Sequence, residues 1–228
     1  MAAAGASARF GGPQLKQHAP LAGRTVLEVA LELFVADAHC LGIALALAPA
    51  AVADPVQNGR WPAKVWPLAG GAQRCDSVLL ALDSLRTRAS DDEWVLVHDA
   101  ARPLLTAQDL RRLLEAGFNQ HSGALLAAPV TDTLKQSTVD QRYAERTVER
   151  SGLWRALTPQ MFRLGALSAA LRNARAAGRV PTDEAQAIEW QGGQPLLVTA
   201  QDVNIKVTRQ EDLALVAALL ATREVRST

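Results

Sequence analysis

Val95-Leu96-Val97-His98-Asp99-Ala100-Ala101-Arg102-Pro103 is the stretch that decides how this chain is read. Three consecutive apolar residues, preceded by Trp94, have the pattern of a strand buried on both faces. A carboxylate and a guanidinium follow where the apolar run stops. In an open parallel sheet, ligands bind beyond the carboxyl ends of the strands, so Asp99 and Arg102 stand where such a fold places its chemistry. The plainer alternative is a local turn held by Asp99 and a solvated charge at Arg102.

Outward from this strand, helical and extended patterns alternate. Upstream, Val26, Leu27, Leu31 and Phe34 predict a helix over 25–35, and residues 41–47 read as a buried strand. Residues 50–63, punctuated by Pro55, Asn58, Gly59 and Pro62, read as loop. A short strand over 65–68 is broken by Gly70-Gly71, and Val78, Leu79, Leu82 and Leu85 give a helix over 76–85. Downstream, Thr106 and Asp109 form a capping-box pattern ahead of Leu110, Leu113 and Leu114. Residues 124–130 read as a further buried strand, 164–177 as a helix, and Leu196-Leu197-Val198 as a strand. Thr182-Asp183-Glu184 opens another helix, with carboxylates at the positive end of the dipole. Thr208 and Glu211 make a second capping-box pattern before Leu213, Leu215, Val216 and Leu219. This order predicts one α/β, Rossmann-like domain across the 228 residues, with a mostly parallel sheet and helices on both faces.

Residues 131–151 interrupt the alternation. They are polar, lack a helical apolar face, and suit two extended segments around a turn near Asp140. Such a hairpin is either an arm ordered by a partner chain or an ordinary surface feature. Residues 154–162 then return toward the core.

The totals exclude several classes of function. Lys plus Arg is 24 against Asp plus Glu 23, a formal charge of +1, which argues against a nucleic-acid surface while leaving room for a small cationic pocket. Cys40, Cys75 and the four histidines His18, His39, His98 and His121 have no zinc spacing. No apolar run is long enough for a membrane span, and the N-terminus lacks signal-peptide patterning. A cytoplasmic, reducing compartment is expected. Residues 2–17 are rich in small side chains and carry Arg9 and Lys16. Small residues let backbone N–H groups approach a phosphate that cations then neutralise, although a flexible tail has the same composition.

Taken together, the chain resembles the 2-C-methyl-D-erythritol 4-phosphate cytidylyltransferase family over nearly its whole length. The resemblance rests on Ala3-Ala4-Gly5 with Arg9 and Lys16-Gln17, on Gly70-Gly71 with Arg74 and Asp76-Ser77-Val78, and on the stretch 97–103. It extends to Ala128-Pro129-Val130-Thr131-Asp132-Thr133, Thr147-Val148-Glu149-Arg150, Leu153-Trp154 and Leu157-Thr158-Pro159-Gln160. Thr182-Asp183-Glu184-Ala185 and Asn204-Ile205-Lys206-Val207-Thr208 complete it.

The resemblance implies transfer of a cytidylyl group from CTP to the phosphate of methylerythritol phosphate, releasing pyrophosphate. A phosphate monoester has a second pKa near 6 and is largely ionised at neutral pH, so no general base is needed. The demand is to overcome repulsion between anions, which cations and Mg²⁺ meet. By resemblance, Arg9 and Lys16 stabilise the transition state around the triphosphate. Arg150 and Lys206 hold the acceptor phosphate, with Thr133 and Asp99 on its polar groups and Arg102 orienting Asp99. The backbone at Ala3, Ala4, Gly5 and Gly71, with the Ser77 hydroxyl, reads cytosine and ribose. Mg²⁺ would rest mainly on phosphate oxygens and water, Asp99 being its one candidate protein ligand. The arm implies a homodimer in which Thr133 and Arg150 complete the neighbouring pocket. Two alternatives stand beside this reading: transfer to another polyol phosphate such as ribitol 5-phosphate, and a non-catalytic dimer.

The chain departs from the family pattern at four places. Ser7 replaces a second loop glycine, Leu15 replaces a proline and is expected to loosen the approach of Lys16, and Glu149 replaces an aspartate. The family also carries an apolar strand before Ala3-Ala4-Gly5, and here Met1 stands at that point. A strand burying five apolar side chains contributes roughly 10 kcal/mol at about 2 kcal/mol each, comparable to a whole domain's stability. The first strand is therefore expected to be missing, and the sequence to be a truncated reading of a longer one.

Overall fold

A computed structural model describes residues 1–5, 10, 15–53 and 60–227. The first strand of the structure, β1, is short and spans Ala2–Ala3. A 3-10 turn (Lys16–His18) and a small hairpin of β2 (Pro20–Leu21) and β3 (Arg24–Thr25) lead into α1 (Val26–Ala36). A reciprocal capping box starts α1: the Glu28 N–H donates to Thr25 Oγ1, and the Thr25 N–H donates to Glu28.

β4 (Ile43–Leu47) follows, then α2 (Pro49–Ala53), a short helix where loop was expected, with Pro49 at the first helical position, where a missing N–H costs nothing. Next come β5 (Val65–Ala69), α3 (Arg74–Arg86), β6 (Trp94–Val97), α4 (Ala107–Gly117) and β7 (Ala124–Pro129). The polar segment forms the expected hairpin, β8 (Leu134–Ser137) with β9 (Ala144–Val148), exposed along its length. The chain closes with β10 (Trp154–Arg163), α5 (Leu164–Ala176), α6 (Glu184–Glu189), β11 (Leu196–Thr199) and α7 (Glu211–Ser227).

Parallel pairs β1/β4, β4/β5 and β7/β11 agree with the expected sheet, while β10 runs antiparallel between β6 and β7. The sheet is therefore more mixed than the sequence pattern indicated. Ala2 joins its two parts: the Ala2 N–H donates to the His98 carbonyl at 3.1 Å, and the Ala46 N–H donates to the Met1 carbonyl at 3.0 Å.

Period-2 alternation separates the two faces. Val95, Val97, Leu125 and Phe162 pack under α3 and α5, whereas their neighbours Leu96, Leu126 and Met161 pack under α4. Ile43, Leu45 and Leu47 meet Leu27, Leu31 and Phe34 of α1. A further cluster joins Phe10, Ala19 and Leu21 to Leu104, Val207 and Val216. It brings the turn carrying Lys16 and the segment carrying Lys206 to one place from opposite ends of the chain.

Two predicted caps work differently from the expected boxes. The Asp109 N–H donates to Thr106, but the Asp109 carboxylate turns away and accepts from the backbone N–H groups of Gln201 and Asp202. Before α7, Asp212 rather than Glu211 accepts from Thr208 and Arg209.

Candidate active site

A cleft of about 200 Å³ opens at the carboxyl ends of β1 and β6, lined by Ala2 to Gly5, Lys16, Gln17, Gly71 to Arg74, Ser77, Asp99 to Ala101 and Lys206. Of the residues singled out from sequence, Ala3, Ala4, Gly5, Lys16, Gly71, Ser77, Asp99 and Lys206 meet here. Arg102 lies buried behind the cleft. Thr133 and Arg150 are exposed on the hairpin and do not line it; the Arg150 guanidinium donates to the Thr131 carbonyl. Arg9 and Ser7 lie outside the described residues.

The floor is shaped by short side chains and tight approaches. The Ser77 hydroxyl accepts from the Gly71 N–H at 3.0 Å and donates to the Gln73 carbonyl, fixing the loop before α3. A Cβ on Gly70 would come within 2.3 Å of Ala4 Cβ, so this glycine lets two loops close on each other. Buried Gln17 donates to the Ala3 carbonyl at 2.7 Å and so ties the turn bearing Lys16 to the small-residue loop. Leu15 has φ −71° and ψ 132°, with φ in the range that a proline ring fixes, so the backbone ahead of Lys16 is one that a proline could also adopt.

Asp99 is the electrostatic centre. Its Oδ1 accepts from Arg74 at 3.0 Å, its Oδ2 meets Lys206 Nζ at 2.7 Å, and Arg102 Nε lies 3.7 Å from Oδ2. Burial opposes its ionisation, yet Arg74, Lys206 and Arg102 hold the carboxyl well below the usual carboxylate range. Both oxygens are thus engaged by cations, a poor setting for Mg²⁺. Asp99 does not fit the metal-ligand role the sequence suggested, and the described residues hold no cluster of three His, Cys, Asp or Glu suited to a metal.

The turn carrying Asp99 and Arg102 is locked by residues to which the sequence reading gave no role. The Asp99 N–H donates to Thr158 Oγ1 at 3.1 Å. His98 Nε2 lies 3.1 Å from the Arg102 carbonyl, which can only accept, so Nε2 carries the proton. Nδ1 then accepts from the Thr158 hydroxyl at 3.0 Å, and the ring is neutral. Arg102 donates to the Asn204 carbonyl at 2.8 Å, Asn204 donates to the Thr158 carbonyl at 2.8 Å, and the Val207 N–H donates to the Ala101 carbonyl at 2.8 Å. These bonds hang the Lys206 segment from the end of β6. His98, Thr158 and Asn204 each lay inside a quoted motif, but nothing in their spacing revealed the shared network.

Burial lowers the His98 pKa from 6.5 to about 4. A histidine kept neutral when folded contributes stability that is complete above the unfolded pKa and is lost as pH falls from 6.5 toward 4. At ~1.4 kcal/mol per pKa unit the loss is about 3 kcal/mol. Urea unfolding at pH 7 and pH 4 should show this decrement in the parent protein and not in His98→Gln. An equal decrement in both would assign the acid sensitivity to other groups.

Comparison with known proteins agrees with the geometry. A sequence model of the family described as IspD, 2-C-methyl-D-erythritol 4-phosphate cytidylyltransferase, matches residues 1–222. The protein of that name from Acidithiobacillus ferrooxidans (strain ATCC 53993 / BNL-5-31) is 47% identical over 230 residues, covering 97% of this chain and 94% of the relative. The crystal structure of the Francisella tularensis cytidylyltransferase superposes with a TM-score of 0.81 at 32% identity, covering 91% of this chain and 94% of the other. The cytidylyltransferase from Thermus thermophilus gives 0.75 at 32% identity, covering 93% of this chain and 96% of the other.

Proposed function

The chain belongs to the 2-C-methyl-D-erythritol 4-phosphate cytidylyltransferase family, and we propose that the cleft around Asp99 is where it joins CTP to that acceptor, releasing pyrophosphate. The product is the CDP-linked polyol of the non-mevalonate isoprenoid route. The observation that carries the assignment is the meeting of Lys16, Lys206 and a loop of small residues in one cleft, although 190 positions of sequence separate the two lysines.

In this reading the backbone of Ala3 to Gly5 and Gly71, with Ser77, holds the nucleoside. Lys16 stands at the triphosphate, joined by Arg9, and offsets the charge that grows on the α-phosphate and the leaving pyrophosphate. Lys206 binds the phosphate of the acceptor, and Asp99 accepts from its hydroxyl groups. That phosphate is already ionised at neutral pH and attacks in line, which is consistent with a site built around cations rather than a proton-abstracting histidine. His98 is buried and committed to two structural hydrogen bonds, so it is not a base. Mg²⁺ would rest on triphosphate oxygens and water rather than on a protein cage, and when bound would supply charge neutralisation there.

We place Thr133 and Arg150 in the pocket of a second copy. Both are exposed at the base of a polar hairpin that carries uncovered Val139 and Tyr143, and neither lines this chain's own cleft. No helix among the described residues is long and apolar enough to cross a membrane, and Cys40 and Cys75 are free thiols, in keeping with a cytoplasmic enzyme.

Pyrophosphate release from CTP and Mg²⁺ tests the whole reading. Activity is expected with 2-C-methyl-D-erythritol 4-phosphate and little with ribitol 5-phosphate; the reverse preference would reassign the substrate. In the same assay, an equimolar, subunit-exchanged mixture of Lys206→Ala and Arg150→Ala should regain roughly a quarter of wild-type activity, because half the dimers then carry one intact site of two. A mixture as inactive as its parents would remove the arm from the neighbouring site.

A further inference from the structure

Arg74 and Glu184 have no part in the chemistry described so far, yet they form an ion pair beside the cleft in which the Glu184 carboxylate is almost wholly buried. The Glu184 side chain is 1% exposed and accepts from Arg74 at 2.5 and 3.0 Å, one hydrogen bond to each carboxylate oxygen. The same guanidinium donates through Nε to Asp99 Oδ1 at 3.0 Å, while Asp99 Oδ2 holds Lys206 Nζ at 2.7 Å. Charge therefore alternates along one line: Glu184, Arg74, Asp99, Lys206. Glu184 is itself seated by β10, since Gln160 accepts from the Ala185 N–H at 2.9 Å and donates to Asp183 at 2.9 Å.

We propose that Arg74 and Glu184 are positioning residues that hold Asp99 in place and ionised while Lys206 exchanges Asp99 for the phosphate of the acceptor. This rests on the reading of Lys206 as the acceptor-phosphate group. With Lys206 bound to Asp99 at 2.7 Å, an arriving phosphate has to compete for the ammonium. If Lys206 were the sole partner of Asp99, its departure would leave a buried carboxylate unpaired, and the exchange would be costly. Arg74 removes that cost by occupying Oδ1 throughout, so Oδ2 is the exchangeable side. Glu184 has the complementary task. Arg74 lines the cleft, and an unopposed guanidinium there would be drawn to the incoming phosphates. The bidentate contact with Glu184 keeps the fork aimed at Asp99.

The test is acceptor binding by calorimetry, on enzyme saturated with α,β-methylene CTP and Mg²⁺ so that no turnover intervenes. Lys206→Gln should weaken binding of 2-C-methyl-D-erythritol 4-phosphate about a hundredfold, and Glu184→Gln about tenfold, with affinity for the nucleotide analogue held within about twofold. In Glu184→Gln/Lys206→Gln the second substitution should add nothing, because its effect runs through the lysine. The proposal fails if Glu184→Gln binds the acceptor like wild type while Lys206→Gln is weak, or if the two effects multiply. It also fails if both ligands weaken together alongside a lowered melting temperature, which marks a purely structural role. Unchanged acceptor binding in Lys206→Gln alone would instead overturn the assignment of that lysine.

Discussion

Lys16→Ala lowers turnover by about a thousandfold and moves the melting temperature by no more than a few degrees. The half-buried lysine begins a 3-10 turn whose placement depends on other residues: Gln17 bonded to Ala3, the His18 N–H on the Leu15 carbonyl, and Ala19 in the cluster with Leu21 and Val26. Removing the ammonium leaves all of these in place, so the fold has little to lose; substitutions of this kind usually stay within about 0.5 kcal/mol. The reaction has more to lose. Negative charge builds on the bridging oxygen as pyrophosphate departs, and a positioned cation at such a point is worth about 10²–10⁵ in rate. Pyrophosphate release and a thermal melt on the same preparation decide the matter. A variant that keeps a tenth of its activity would move the task to another cation, Arg9 first. One that melts far below wild type would make Lys16 a structural residue.

The sequence disclosed the lobes of the site more readily than the bonds that join them. The end of β6 was legible because an apolar run stops abruptly at Asp99, and the hairpin was legible because residues 131–151 lose helical periodicity while staying polar. β10 was hard to see. Its apolar residues do not alternate through Leu157-Thr158-Pro159, because the strand bulges there, its register shifting between Ala156 and Gln160, and a proline inside a strand argues against the assignment unless a bulge excuses it. An antiparallel strand between β6 and β7 was therefore missed, and with it the seat of Thr158 beneath Asp99. Mg²⁺ at Asp99 was a reasonable expectation for a carboxylate at a strand end. The surroundings of Asp99 disfavour it, because Arg74 and Lys206, which no local pattern connects to Asp99, join Arg102 around the carboxylate.

Arg74→Met should destabilise the protein by about 3–5 kcal/mol, and adding Glu184→Leu should restore most of that stability while leaving the enzyme inactive. The single substitution strands the Glu184 carboxylate, 1% exposed, without its partner and strips Asp99 of its Oδ1 donor. Breaking a buried pair from one side has this size, whereas replacing both members with apolar side chains of similar volume is often neutral or favourable. Glu184 sits beside Ala185, Ala187 and Ile188, with Val78 and Leu167 in the same apolar cluster, so a leucine there has neighbours to pack against. Domains of this kind unfold with about 5–15 kcal/mol, so the single variant should lose a large fraction of its margin and show a clearly lower urea midpoint. Activity should not follow stability back in the double variant, because Asp99 has still lost the donor that lets Lys206 leave it. If the double variant recovers both, the pair serves the fold alone. If it stays as unstable as Arg74→Met, the guanidinium stabilises the protein through Asp99 rather than through Glu184.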